Sequence, residues 1–367
     1  MIRLHAAISP GEMRVAAWDG ERLHDVALSR AAVPDGVGDL HRARITARVR
    51  AMAGAFVALE GGVEGFLPDS EGAEGEGRIL GVRITRAAQG GKGPRLTAKL
   101  SPDDLALIGT GSPALLRRGP DALVRMAEAY PSAPILIDDA GSAARSPRKV
   151  ELVARAFPDE LEDAWDALSS PIADLPGGAR MQISPTPALV AIDIDLGSAT
   201  AERGSKTHTQ GEANRNLLPE LARQIRLRNL SGAILVDLGG MPQKKRAGLA
   251  PDFVRALATD PLKPRFLGFT QLGLAEIVRP RVLPPLHELL TGPHAQGLVA
   301  LRRLVRDAAV ASHRALALHA SAEIATALLA DSVAQNDVAA RTGRNLVIVS
   351  HPEWGAARVS IEEHSHG

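Results

Sequence analysis

Ala191-Ile192-Asp193-Ile194-Asp195-Leu196 alternates small or acidic residues with branched apolar ones, the signature of a strand buried on one side. Side chains along a strand point to opposite faces in turn, so Asp193 and Asp195 share one face while Ile192, Ile194 and Leu196 share the other. A second run, Ala233-Ile234-Leu235-Val236-Asp237-Leu238, repeats the pattern with a single acid on the face of Leu235. Between them Asn216 to Leu227 has the spacing of an amphipathic helix, and Gly248 to Ala258 predicts another. Strand and helix therefore alternate from about Met181 to Leu283, which is the pattern of an α/β module.

An unpaired acid near a sheet core costs several kcal/mol, so each of these aspartates needs a cation, a buried arginine, or a strand end open to water. Arg223, Arg226 and Arg228 on the intervening helix can supply salt bridges, and each acid taken singly reads as a structural ion pair or an exposed strand-end residue. The set points elsewhere. Two strands that pair or neighbour each other bring Asp193 and Asp237 within reach of one ion, and Mg²⁺ typically takes one or two carboxylates plus water and phosphate oxygens. The surroundings suit a polyanion. Arg203 to Arg281 holds fourteen basic residues against six acidic ones, although the whole chain has a net charge of only +1. Neutralising phosphates releases counterions, so a segregated basic module is what phosphate-chain binding requires. Arg223 and Arg226 are candidates to hold the chain while a metal polarises the phosphate and activates water. Solvated basic helix faces are the alternative reading.

With 367 residues the chain is long enough for two or three domains, and 45% hydrophobic with 23% charged residues is the composition of a folded protein rather than a disordered one. Aromatics make up only 3%, so the cores are built from aliphatic side chains. The absence of cysteine excludes disulfides, thiolate nucleophiles, iron-sulfur clusters and cysteine zinc sites. The first residues, MIRLHAAISPGEMR, lack the apolar centre of a secretory signal, and no run approaches the ~20 apolar residues of a membrane span, so a cytoplasmic protein is expected.

Outward from the central module, Arg14 to Trp18, the turn Asp19-Gly20 and Arg22 to Leu28 predict a hairpin. Five short strands follow, His41 to Val49, Gly54 to Leu59, Gly65 to Leu67, Arg78 to Thr85 and Arg95 to Lys99, and suggest a small barrel. On its exposed face Phe56 and Phe66 can stack on unpaired bases, with core packing as the alternative. The loop Gly90-Gly91-Lys92-Gly93 can approach a nucleic-acid backbone, or simply be a flexible turn. Helices are expected at Pro120 to Ala129 and Ser146 to Phe157, with a strand at Pro134 to Ile137 between them and a loop at Pro171 to Gly178. Toward the C-terminus come a helix at Leu298 to Ala311, a strand at Ala315 to Leu318, a helix at Ala322 to Arg341 and strands at Leu346 to Val349 and Arg358 to Ile361. His313, His319, His364 and His366 lack metal-ligand spacing and read as structural or solvent-facing. Neither a Gly-x-Ser-x-Gly string nor a Walker loop is present.

Ala191 to Asp195, Ala222-Arg223-Gln224-Ile225-Arg226-Leu227-Arg228-Asn229-Leu230-Ser231-Gly232, Ile234 to Leu238 and Leu272-Gly273-Leu274-Ala275-Glu276 resemble, in order and spacing, the catalytic core of the bacterial ribonuclease E/G family. Gly54-Ala55-Phe56-Val57 and Gly65-Phe66-Leu67-Pro68 resemble that family's S1-type barrel, Arg14 through Leu23 its opening hairpin, and the unit from Gly297 its small domain. The resemblance implies an α/β multidomain fold: an RNase H-like region at 1–36 and 99–180, an S1-type OB barrel at 37–98 inserted in it, a mixed α/β (DNase I-like) catalytic module at 181–285, and a small C-terminal α/β domain at 297–367. It implies a Mg²⁺-dependent endoribonuclease that cuts single-stranded RNA and leaves 5′-phosphate ends. Asp193 and Asp237 match the metal-binding aspartates, Asp195 stands where the family has an asparagine near the scissile phosphate, Phe56, Phe66 and Lys92 match RNA contacts of the barrel, and Lys263 falls near a basic position that grips the backbone. The Val-Arg-Thr-Ala-Gly string that reads a 5′-monophosphate is missing, so end sensing is expected to be reduced. Gly-Pro-His-Ala-Gln-Gly at Gly292 to Gly297 replaces the zinc-binding cysteine motif, which rules out zinc-linked assembly and leaves packing of the small domain as the route to a homodimer. Two other readings stay open: a non-catalytic RNA-binding relative disabled by Asp195 and the short middle region, and a protein-interaction scaffold.

Overall fold

The computed structural model describes residues 1–72, 75–146, 148–197, 206–310 and 316–363. Ala311, His313, Ala315, His364 and His366, named in the sequence expectations, lie outside the described residues. In chain order, strands β1 (Arg3–Ser9), β2 (Glu12–Trp18) and β3 (Leu23–Arg30) precede β4 (Leu40–Val49), β5 (Gly54–Ala58), β6 (Glu64–Pro68), β7 (Ile79–Arg86) and β8 (Arg95–Thr97). Helix α1 (Pro102–Ala106), β9 (Ala114–Arg117), α2 (Ala122–Ala129), β10 (Ile135–Ile137), α3 (Ala140–Ala144), β11 (Glu151–Leu152) and α4 (Asp159–Asp166) follow. Then come β12 (Ile172–Leu175), β13 (Ala179–Pro185), β14 (Leu189–Asp195), α5 (Lys206–Leu227), β15 (Gly232–Asp237), α6 (Gln243–Arg246), α7 (Ala250–Leu257), β16 (Arg265–Phe269) and β17 (Ala275–Arg279). The last elements are α8 (Leu286–Leu290), α9 (Pro293–Val310), β18 (Leu316–Ser321), α10 (Ala322–Leu329), α11 (Ser332–Thr342), β19 (Val347–His351) and β20 (Val359–Glu363).

These elements form two compact units, Met1–Asp35 with Pro120–Ala164 and His287–Gly367, and Gly36–Gly119 with Trp165–Leu286. In the first unit, the sheet β11-β10-β1-β2-β3 carries α2 over a core of Leu4, Ala6, Val15, Leu123, Met126 and Ile135. Asp121 caps α2 by accepting a hydrogen bond from Val124 N at 2.9 Å. The small sheet β19-β18-β20 packs on α9, α10 and α11 through Leu298, Leu301, Leu318, Ile324 and Leu328. Glu12, on β2, joins the two parts of this unit by accepting from both Arg30 and Arg302.

Three local expectations give way. The described residues of Ser146 to Phe157 are not a helix: Arg148 donates to the carbonyls of Ala127, Tyr130 and Ala133 at and beyond the end of α2, and the chain then adds β11 beside β10, so helix begins only after Pro158. Pro171 to Gly178 contains the edge strand β12 rather than loop alone. Ala322 to Arg341 is two helices, because the Asp331 carboxylate caps a new start by accepting from Ala334 N at 2.8 Å. No described helix is long and apolar enough to cross a membrane.

The second unit contains a closed five-stranded barrel, since β4 pairs with both β5 and β7 and the ring is completed by β6 and β8. Ala43, Ile45, Ala55, Val57, Leu67, Val82, Ile84 and Leu96 fill its interior. Closure depends on close backbone approach at one corner, where a Cβ on Gly93 would sit 2.1 Å from the carbonyl oxygen of Glu64. The same unit holds a six-stranded sheet in the order β12-β13-β14-β15-β17-β16. Its core packs Ile192, Ile194, Ile234 and Val236 against Leu217, Leu221 and Ile225 of α5 and Phe253 of α7. At the start of β15, Arg279 and Asp260, each 4% exposed in its side chain, form an ion pair at 2.7 Å, and Arg279 also donates to Asn229 Oδ1 at 2.6 Å.

Breaking one side of such a pair strands a buried charge. Arg279→Met is expected to destabilise the protein by about 3 to 5 kcal/mol, and adding Asp260→Asn to recover part of the loss. Urea unfolding followed by far-ultraviolet circular dichroism reads both, and a loss below ~1 kcal/mol would show that the pair is not under load.

Candidate active site on an open sheet face

Among the described residues, α5 and α7 cover one face of the six-stranded sheet and nothing covers the other at β14 and β15. Along β14 the burial alternates, with Val190, Ile192 and Ile194 inside and Asp193 and Asp195 exposed. Along β15, Ile234 and Val236 are inside and Asp237 is exposed. β14 and β15 pair in parallel with Asp193 directly opposite Asp237. Register partners share a face, and neighbouring strands lie about 4.8 Å apart, so the two carboxylates stand side by side where both strands end. On the other flank β13 sets Gln182 opposite Asp193 and Arg180 opposite Asp195. Glu276 of β17 lies opposite Leu235 and adds a fourth acid to this face. The open face explains how the acids are tolerated without a buried counter-charge: they remain in water.

One of them is nonetheless clamped. Arg246 Nη1 donates to Asp237 Oδ1 at 2.8 Å. The same guanidinium donates to the carbonyls of Met241, Gly273 and Leu238 at 3.0, 2.8 and 2.9 Å. Arg246 therefore knits the loop after β15 to the β16–β17 turn and holds one oxygen of Asp237, whose side chain stays 52% exposed. Asp195 Oδ1 accepts from Gly197 N at 2.9 Å, which turns that carboxylate back on its own loop. Among the described residues no group of three or more His, Cys, Asp or Glu converges as a full metal cage. Two adjacent carboxylates open to water are the donor set that Mg²⁺ accepts and that Zn²⁺ or Ca²⁺ would find too sparse.

The basic residues of α5 lie elsewhere. The helix runs back from the end of β14 to the start of β15, so its last turn is about 17 Å of strand length from Asp237. There Arg223 pairs with Glu220, Arg226 donates to Thr259 O at 3.4 Å, and Arg228 donates to Gln224 and to the carbonyls of Ala167 and Ser170. Burial, with Arg223 alongside, pulls Arg228 down to about 10. Lys263, in a left-handed turn (φ 49°) ahead of β16, is at this same far end. The structure thus brings Asp193, Asp195 and Asp237 together and does not bring Arg223, Arg226 or Lys263 to them. The cations that follow Asp237 are Arg246 and the exposed Lys244 and Lys245 of α6, which the sequence reading passed over although Gln243-Lys244-Lys245-Arg246 is the densest basic run after that strand.

In the barrel, Phe56 and Phe66 are opposite each other on β5 and β6, half-buried on the outer face, with ring centroids 5.9 Å apart in a T-shaped arrangement. A Cβ on Gly54 would come within 2.4 Å of the Phe66 ring, so that glycine lets the ring lie flat over the strand. Lys92 is exposed on the turn that returns to Gln89.

Residues 144–282, which include both acid-bearing strands and the whole covering layer, match the model of the ribonuclease E/G family. Over this segment the chain is similar to the ribonuclease E/G family. It is 39% identical over 124 residues to a protein named Ribonuclease E from Synechocystis sp. and 37% identical over 131 residues to another from Nostoc sp.. These matches cover 34% and 35% of this chain but only 18% and 19% of the two relatives. A protein named Ribonuclease G from Haemophilus influenzae is 30% identical over 131 residues, 35% of this chain and 26% of its own length. The barrel lies outside the segment that matches the ribonuclease E/G family model.

If Asp193 and Asp237 share one divalent ion, each of Asp193→Asn and Asp237→Asn abolishes saturable Mn²⁺ binding measured by electron paramagnetic resonance on the RNA-free protein, while Asp174→Asn, on the edge strand, leaves it intact. Retention of binding in both single variants would exclude a shared site.

Proposed function

We propose that this chain is a Mg²⁺-dependent endoribonuclease that cuts single-stranded RNA, leaves a 5′-phosphate on the downstream fragment, and acts in RNA processing or decay. The observation that carries the reading is the direct opposition of Asp193 and Asp237 on the uncovered face of a sheet. The names of the relatives, Ribonuclease E and Ribonuclease G, support it. Asp193 and Asp237 would hold the ion, which when bound polarises the phosphate and lowers the pKa of a water. Arg246 holds one oxygen of Asp237 and leaves the side chain half exposed, so the carboxylate keeps an oxygen for the ion. Asp195 adds negative charge two residues beyond Asp193, where it can orient a water or a ribose hydroxyl but repels a bare phosphate. Phe56 and Phe66 offer ring faces to unpaired bases, which favours a single strand over a duplex, and Lys92 approaches the backbone from the adjoining turn. The likeness of the barrel to an S1-type OB domain, and of the acid-bearing sheet to a DNase I-like module, belongs to this same proposal.

Loss of either metal-holding acid removes charge stabilisation worth several kcal/mol, so Asp193→Asn and Asp237→Asn are each expected to slow cutting of unstructured RNA by about 100-fold or more while RNA binding persists. Parental rates in both variants would refute the site. Salt-sensitive RNA binding with no Mg²⁺-dependent cutting by the parent protein would instead identify a non-catalytic relative. Because the string that reads a 5′-monophosphate is missing, substrates with 5′-monophosphate and 5′-hydroxyl ends are expected to be cut at equal rates; a strong monophosphate preference would show that another element performs the sensing.

A further inference from the structure

The outer face of the barrel carries a stripe that crosses four strands. Phe56 stands opposite Phe66, Phe66 opposite Arg95, and Arg95 opposite Arg86. The alternate residues Leu67 and Leu96 point inward and are fully buried. Beyond Arg86 the stripe continues into the segment after β17, since Ala87 N donates to Val282 O at 2.8 Å and sets Arg86 beside Arg281.

Three features make this end of the stripe unusual. Like charges paired across an antiparallel ladder are destabilising, yet Arg86 pairs with Arg95 where the ladder shifts register after Ile84. Among the described residues none of Arg86, Arg95 and Arg281 has a carboxylate in ion-pair contact, and Glu71, which senses Arg95, is already held by Thr97 at 2.6 Å and Lys99 at 3.3 Å. Buried donors are also left without acceptors, namely Arg86 Nε and, three residues on, Gln89 Nε2. Burial, with Arg95 and Arg281 alongside, holds the Arg86 guanidinium below its ordinary range.

We propose that Arg86, Arg95 and Arg281, with Gln89, form a phosphate subsite for single-stranded RNA that is distinct from the Asp193/Asp237 pair. An oxyanion there relieves the repulsion between the guanidinium groups and supplies the missing acceptors, and charge-assisted bonds of this kind are the strong ones. The neighbouring phenylalanines specify the chain to which the phosphate belongs. A strand whose planar bases alternate with phosphates matches a surface on which aromatic rings adjoin guanidinium groups, whereas an isolated phosphate or a phosphorylated peptide has no use for the rings. The subsite rests on the RNA-directed reading above but not on cleavage.

The test uses the full chain carrying Asp193→Asn, so that RNA stays intact, and fluorescence anisotropy with an unstructured oligoribonucleotide of about 10 nucleotides. Each of Arg86→Gln, Arg95→Gln and Arg281→Gln is expected to weaken binding and to lower the slope of log affinity against log salt by about 0.7, the loss of one single-strand phosphate contact. Arg95→Gln should also melt no lower than its parent in the absence of RNA, because it removes a like-charge pair; this separates lost contact from lost fold. Parental affinity and slope in Arg95→Gln and Arg281→Gln would overturn the subsite, as would displacement of the RNA by a phosphopeptide at equal concentration. An unchanged slope with cutting intact in the parent defeats the subsite alone, while a reduced slope in a protein that never cuts defeats the nuclease reading alone.

Discussion

Parallel pairing of β14 with β15 is the constraint from which the candidate site follows. A parallel neighbour can be reached only by a crossover, here α5, and the helix must cover one face of both strands. Ile192, Ile194, Ile234 and Val236 are consumed by that cover. The period of two then leaves Asp193, Asp195 and Asp237 on the other face without further choice, and the register places two of them opposite each other. A slip of one residue would drive the acids into the helix layer, so the same apolar packing that stabilises the module also fixes the spacing of the carboxylates.

The two ends of this sheet are built differently. Where β15 begins, charges are buried or half-buried and paired: Arg279 with Asp260 and Asn229, Arg228 with Gln224 and two carbonyls, Arg223 with Glu220. Such groups hold a rigid geometry because leaving any one unpaired is costly. Where β15 ends, the acids are in water; Asp237 is tied by Arg246 and Asp195 only by the backbone N–H of Gly197. Rigidity at one end and water-exposed carboxylates at the other let the scaffold present acids on its surface without destabilising its core.

Much of this was legible in the sequence, for physical reasons that differ by element. The five barrel strands are short, amphipathic and separated by glycine turns, so each boundary falls within a residue or two of the observed one. The alternation in Ala191 to Leu196 likewise translates directly into faces. β1 was missed because Leu4, Ala6 and Ala7 are buried on both sides and show no alternation, and β13 because its pattern follows a proline-glycine turn that masks its start. Arg246 was invisible as the partner of Asp237 because eight residues, a Gly-Gly-Met-Pro turn among them, separate the two, and no local period reports that contact. The arginines of α5 were placed beside the acids by sequence proximity, although the direction of a crossover helix sends its C-terminal turn to the start of the next strand, not its end.

The barrel reinforces the same logic from the opposite side. A β-ladder gains from aromatic and opposite-charge pairs across strands and loses from like-charge ones. The stripe on β5, β6, β8 and β7 satisfies that rule at Phe56/Phe66 and violates it at Arg86/Arg95. Its closed ring already has a full apolar interior, so no folding requirement places cations there. Local rules broken on an otherwise consistent scaffold mark positions where the surface is shaped for something outside the chain. On the proposed reading the outside partner is anionic and carries flat groups at the spacing of neighbouring strands, two demands that a nucleic-acid strand meets and a small anion does not.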